Sequence, residues 1–205
     1  MNVSEALATR ISCRAFKPDP VNSETVRAII DGARFAPSGG NLQPWSLFAV
    51  SGAPLARIFD DVYPPDLKEP YAARRFKCGE DLYASIGIDR YDKPGRIRQF
   101  RRNFEMFGAP VGLFVYIDRT MGPPQWSDVG MFLQSVMLLA REHGLHTCAQ
   151  EAWVQWHTTI DEHLKPPADW MLFCGIAVGY MDEDHPINTL RTERAPVDEI
   201  VTFLG

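Results

Sequence analysis

Three short stretches of this chain gather groups that can hold an anion or a flat polar ligand. The first is Arg10-Ile11-Ser12-Cys13-Arg14-Ala15-Phe16, two arginines flanking a serine at the expected end of the first helix. A separation of four residues sets both guanidinium groups on one side of a helical turn. Guanidinium grips a phosphate or carboxylate through two parallel hydrogen bonds, which lysine cannot do. A solvated helix end pairing with Glu5 reads equally well on spacing alone. The second stretch is Pro37-Ser38-Gly39-Gly40-Asn41-Leu42-Gln43-Pro44-Trp45. Its glycines let backbone approach a ligand, and Ser38, Asn41 and Gln43 supply donors and acceptors; a purely structural turn is the alternative. The third is Leu190-Arg191-Thr192-Glu193-Arg194-Ala195-Pro196, either an anion clamp or ordinary surface charge with Glu193 as counterion.

Side-chain chemistry is otherwise sparsely written. No glycine-rich dinucleotide fingerprint, phosphate-binding P-loop or nucleophile elbow occurs. Cys13, Cys78, Cys148 and Cys174 are scattered, so they read as idle thiols in a reducing compartment. His143 and His146 make one HxxH without a ligating partner beside it, which reads as a solvated helix end and not a metal site.

The elements that must position these stretches fit one domain over residues 1–205. Helical spacing predicts helices over 3–10, 23–36, 54–62, 66–86, 125–143 and 153–164, with a Pro64-Pro65 break and Gly144 as a C-cap. Strands are expected at 45–50, 111–117, 145–149 and 171–178. Residues 87–103 are polar and arginine-rich and read as a lid-like segment outside the core, and the tail after Gly179 as an irregular arm reaching over a partner. The class is α+β. A net charge of −5 argues against coating nucleic acid or an anionic membrane. No apolar run is long enough to span a bilayer and the N-terminus lacks a signal pattern, so a cytoplasmic, soluble protein is expected.

Taken together the motifs resemble the nitroreductase family of FMN-dependent oxidoreductases, over essentially the whole chain. The resemblance is carried by Arg10, Ser12, Arg14 and Phe16; by Pro37, Ser38, Asn41, Gln43, Pro44 and Trp45; by Gly144-Leu145 with Thr147-Cys148-Ala149-Gln150; and by Arg191, Arg194 and Pro196. It implies a central, mostly antiparallel sheet flanked by helices, a C-terminal tail over the partner subunit, and a homodimer with shared, non-covalent FMN sites. It further implies that Arg10, Ser12 and Arg14, with backbone from Ile11, bind the flavin, and that Arg191 and Arg194 join at its phosphate. Pro37, Ser38, Gly39, Gly40, Asn41 and Gln43 would be lent by the second subunit. Gln150, Glu151 and Ala152 would turn backbone N–H groups toward flavin N5 and O4.

Two departures stand out: Ile11 sits where many members carry Arg or His, and Ala149 replaces a common proline. Arg98, Arg101 and Arg102 are candidates for the basic group near flavin N1 and O2. Trp126, Tyr83, Tyr91, Phe100, Phe104 and Phe107 could wall an aromatic pocket, or simply pack the core. The activity implied is ping-pong hydride transfer from NAD(P)H through FMN to nitroaromatic or similar flat acceptors, with no catalytic side chain demanded. Reductive dehalogenation or oxidation of a peptide-derived ring on the same flavoprotein fold is the alternative. The remote alternative is an arginine-rich binding module, because seven arginines fall from Arg74 to Arg102, although Glu80, Asp81, Asp89 and Asp92 lie among them.

Overall fold

A computed structural model describes residues 1–51 and 67–202. In chain order these form α1 (Val3–Thr9), α2 (Ser23–Ala33), β1 (Ser46–Ser51), α3 (Tyr71–Ser85), α4 (Lys93–Arg101), β2 (Val111–Asp118), α5 (Pro123–Glu142), β3 (His146–Gln150), α6 (His157–Leu164), β4 (Trp170–Gly179) and α7 (Val197–Ile200). Short 3-10 turns lie at Gly39–Asn41, Arg102–Gly108, Glu151–Trp156 and Pro186–Thr189. The helix expected at 54–62, the Pro64-Pro65 break and residue 66 fall outside the described residues.

The strands form one antiparallel sheet in the order β1-β2-β4-β3. β2 and β4 occupy its centre, which is why they read as unbroken apolar runs rather than as alternating ones. Successive side chains of β2 enter different cores. Val111, Leu113, Val115 and Ile117 meet α2 and α5 through Ile29, Phe132 and Val136. Phe114 and Tyr116 meet Phe104, Phe107 and Trp153 on the opposite face. Phe173 is skipped where Val115 pairs with Cys174 and Tyr116 with Leu172.

Caps explain where most helices begin. Asn2 and Glu5 form a capping box on α1, and Asn22 accepts from Glu24 N at 2.8 Å on α2. Two expectations need correction. The second helix stops at Ala33 rather than at 36, because Phe35 N turns to Gly32 O in a tighter ring. Residues 93–101, expected to be part of a lid-like polar segment, are helix α4 with Gly95 buried. Asp92 caps it through Gly95 N at 2.9 Å, and Pro94 sits in the first turn, where a missing N–H costs nothing.

Candidate functional site

The arginine strip does not continue the first helix. Arg10 N makes the last helical bond to Ala6 O, and Arg10 itself is extended at φ −62°, ψ 128°. Residues 10–14 then run parallel to β3, with a bridge between Ser12 and Thr147 and Cys13 N donating to Thr147 O at 2.9 Å. Helical spacing is thus the wrong reason for grouping Arg10 with Arg14. In extended chain, alternate residues share a side, so Arg10, Ser12 and Arg14 still line up. Ile11, Ser12 and Arg14 are half-buried and Cys13 is fully buried.

Asn188, in the turn before the tail, fastens this strip to the C-terminal segment. Its Oδ1 accepts from Arg14 N at 2.9 Å, while its Nδ2 donates to Ala15 O at 2.9 Å and Asp182 O at 2.8 Å. Its own carbonyl accepts from Arg191 Nη1 at 2.9 Å, so Arg14 and Arg191 are both referred to one buried residue. Arg194 Nη1 folds back on Thr192 Oγ1 at 2.6 Å and on the Glu193 carbonyl at 3.1 Å. Neither counterion expected from the sequence engages: the Glu5 carboxylate meets Asn2 N, and Glu193 offers Arg194 only backbone. Among the described residues, none of Arg10, Arg14, Arg141, Arg191 and Arg194 is in ion-pair contact with a carboxylate. In a chain with net charge −5, five arginines without carboxylate partners leave charge-assisted donors that an anion could take.

At the far end of β3 the chain turns into the 3-10 segment Glu151–Trp156, where Glu151 is exposed and Ala152 buried. Gln150 Nε2 donates to the Asn103 carbonyl at 2.7 Å, which ties this turn to the segment following α4. Gln150 Oε1 and Thr147 Oγ1 are buried without a hydrogen-bond partner, and so is Arg141 Nε. Orphaned polar atoms beside an unpaired arginine strip fit a ligand with a phosphate at one end and a polar ring at the other.

The loop from Pro37 to Gln43 lies elsewhere. Asp128, buried near the start of α5, accepts from Gly39 N at 3.2 Å, and Ser38 Oγ accepts from Gln43 N at 3.0 Å. Gly40, Asn41 and Gln43 take positive φ of 58°, 56° and 47°. Two non-glycine residues in that region make a strained, exposed turn of the kind found in ligand clamps. The loop feeds β1 at one edge of the sheet, whereas the Ser12 strip flanks β3 at the other. Four strand spacings separate them, about 19 Å, so the two groups do not converge within one chain.

The remaining candidates divide. Phe104 and Phe107 belong to the core, Phe100 packs edge-on to Phe104, and Tyr91 is 83% and Trp126 44% exposed. Arg96 lies 4.0 Å over the Tyr83 ring. Arg102 is paired with Glu105 at 3.5 Å, and Arg98 and Arg101 are exposed on α4, whose end adjoins Asn103. Within the arginine-rich segment, Arg74 pairs with Glu199 at 3.1 Å and Arg96 with Glu80 at 3.5 Å, so these charges are locally spent. His146 is not a solvated helix end: it starts β3 and is buried. All four cysteines are free, and among the described residues no group of His, Cys, Asp or Glu could hold a metal ion. No described helix is long and apolar enough to cross a membrane. Asn188, Asp128 and Arg141 belong to none of the motifs, and His146 enters only as half of an HxxH at an expected helix end. Among the first three, Asp128, a carboxylate on the apolar stripe of α5, carries a visible signal.

The fold is an α+β protein in which an arginine-bearing strip without carboxylate partners and a strained loop lie at opposite edges of the sheet. The sequence model of the Nitroreductase family matches residues 7–180, and this chain belongs to that family. It is 37% identical to a 4-nitrobenzoate reductase of Pseudomonas putida, covering 97% of this chain and 94% of that protein. A nitrobenzene nitroreductase of Ectopseudomonas oleovorans is 32% identical, with 98% and 96% covered. Among solved structures, the FMN and NADPH-dependent nitroreductase NfnB of Sphigopyxis sp. strain HMH superposes with a TM-score of 0.93 at 44% identity, both chains fully covered.

Proposed function

We propose that this chain is an FMN-dependent nitroreductase that takes hydride from NADPH and reduces nitroaromatic compounds. The observation that carries the reading is the set of arginines without carboxylate partners at the start of β3, next to the orphaned atoms of Thr147 and Gln150. The relatives' nitrobenzoate, nitrobenzene, FMN and NADPH names support it. A phosphate of roughly −1.5 to −2 charge suits the Arg191 guanidinium held by the Asn188 carbonyl and the Arg14 strip held through its backbone. When bound, FMN supplies the hydride chemistry itself. Arg10, Ser12 and Arg14 would hold it along the strip, with Arg191 and Arg194 at its phosphate. The turn at Gln150, Glu151 and Ala152 would aim backbone N–H groups at the ring edge. Asn188 and the Gln150–Asn103 bond keep both ends of that cradle in register without moving a proton.

The wide separation of the Pro37–Gln43 loop from the strip favours a homodimer, each site taking its strip from one chain and its loop from the other. The tail agrees: Val197 and Ile200 are 62% and 68% exposed, more apolar surface than a tail beside solvent would present. Residues 1–205 read as one domain, and four free thiols suit a reducing cytoplasm.

The test is spectroscopic. Purified protein should be yellow, release FMN on denaturation, bleach anaerobically with NADPH and recolour with 4-nitrobenzoate. Arg10→Ala and Arg194→Ala should purify largely flavin-free and regain activity in excess FMN, since one charge-assisted contact is worth about 1.5–3 kcal/mol. Mixing a chain altered at Arg10 and Arg14 with one altered at Ser38 and Asn41 should restore one site per refolded dimer. A colourless protein that NADPH cannot reduce after FMN is added defeats the proposal, and absence of complementation defeats the shared site.

A further inference from the structure

Thr147, which bridges Ser12 of the arginine strip, follows directly on His146, and His146 and its partner Arg141 lie outside the three motifs. Arg141 stands in the last turn of α5, and its Nη1 donates to the Leu145 carbonyl at 3.0 Å and lies 3.1 Å from His146 Nδ1. A guanidinium has no lone pair to offer, so Nδ1 accepts and the imidazole carries its proton on Nε2. Among the described residues no acceptor takes that Nε2–H. Arg141 Nε is itself buried and unpartnered, although His146 keeps only 8% of its surface exposed. Two donors therefore stand next to the strip with no acceptor taking them among the described residues.

We propose that Arg141 and His146 form an inner donor pair of the anion clamp and bind the terminal phosphate of FMN. His146 donates from Nε2 to a phosphate oxygen, and Arg141 fixes the ring in the tautomer that can do so. The inference rests on the flavin reading of Arg10, Arg14 and Arg191.

The charge pattern supports this. Burial first, then the charges of Arg141 on α5 and Arg191 in the tail, push the imidazole down to about 4. Near neutral pH the ring is thus a neutral donor beside the Arg141 guanidinium. Arg191 spends Nη1 on the Asn188 and Leu190 carbonyls at 2.9 and 3.0 Å, which holds its guanidinium in place. A bond serving only to tie α5 to β3 would need neither the free Nε2–H nor the unpaired Arg141 Nε.

Riboflavin provides the comparison, since it has the ring and ribityl chain of FMN without the phosphate. Wild-type protein, His146→Leu, His146→Gln and Arg141→Met are stripped of flavin and titrated with each, following quenching of flavin fluorescence. The expected result is that wild type prefers FMN, and that His146→Leu and Arg141→Met each lose FMN affinity about tenfold with riboflavin affinity unchanged. His146→Gln, which keeps an amide donor, should recover most of the loss. An unchanged FMN-to-riboflavin ratio in His146→Leu overturns the inference, and so does an equal loss for both ligands. Should His146→Leu fail to fold by far-UV circular dichroism, Arg141→Met at the half-buried helix end carries the same comparison. A wild type that binds both flavins equally overturns the phosphate reading of the arginines instead.

Discussion

Asn188 Oδ1 accepts the backbone N–H of Arg14 at 2.9 Å, joining positions 174 residues apart. Its amide nitrogen serves Ala15 and Asp182 at the same time, so one buried side chain holds the strip and the tail together. Asn188→Leu leaves the Arg14 N–H unpaired and takes one of several donors from the Ala15 and Asp182 carbonyls, which keep Asp182 N and His185 N, and this costs about 1–3 kcal/mol. Flavin affinity should fall with stability. Asn188→Asp keeps the acceptor for Arg14 and loses both donations, so it should be intermediate. Urea midpoints and flavin titrations of both variants check the order.

Gly175 lies under the Trp153 indole. A Cβ built there would run into Trp153 Cδ1, and Cγ would lie 3.0 Å away. The indole is rigid and 2% exposed, with Phe104 and Phe114 edge-on at 5.4 and 5.2 Å, so it cannot step aside. Gly175→Ala should cost about 1–3 kcal/mol by overpacking and disturb the Glu151–Trp156 turn. Thermal denaturation and the tryptophan emission maximum of the folded protein report both effects.

The imidazole of His146 links stability to acid. Its ordinary value near 6.5 is pushed down to about 4 by burial first, then by Arg141 and Arg191. Above pH 6.5 the ring is neutral whether folded or not, and its contribution is complete. As pH falls toward 4 the unfolded chain takes up the proton first, so the flavin-free protein should lose stability, by at most about 1.4 kcal/mol per pH unit from this group. His146→Gln should flatten the decline in urea midpoint between pH 7 and 5. An identical decline in both proteins would assign it to other groups.

Burial also silences three thiols. It pushes Cys13 and Cys174 up to about 12 and raises Cys148 as well. A thiol that stays protonated at pH 8 is a poor nucleophile. Only Cys78, half-buried on α3, should react with a disulfide reagent in the native protein, against all four in urea. Rapid native labelling of two or more would contradict the packing around β3 and β4.

Much of this architecture was legible. β2 and β4 announce themselves because both faces of the central strands are covered, and α5 because Val129, Phe132, Val136 and Ala140 keep helical spacing. The Arg10–Arg14 strip was found as chemistry but misread as helix. Nothing in residues 1–16 says that Cys13 N will find Thr147 O. α4 was hidden because Pro94 and Gly95 read as breakers, although proline in a first turn and glycine against its cap are both at home. Asn188 was out of reach, since it matters only through neighbours far away in sequence, and the HxxH gives no sign that His146 is buried against Arg141.

The Ser12–Thr147 bridge also bears on how the protein stays in solution. β3 ends the sheet, and the outer edge of a strand recruits strands from other molecules. Residues 10–14 lie along that edge and use up part of its hydrogen-bonding capacity. The strip proposed to hold the anion is therefore also a guard against edge-to-edge aggregation. A chain deprived of residues 1–16 would lose its ligand and, with the edge laid bare, would collect in the insoluble fraction on expression.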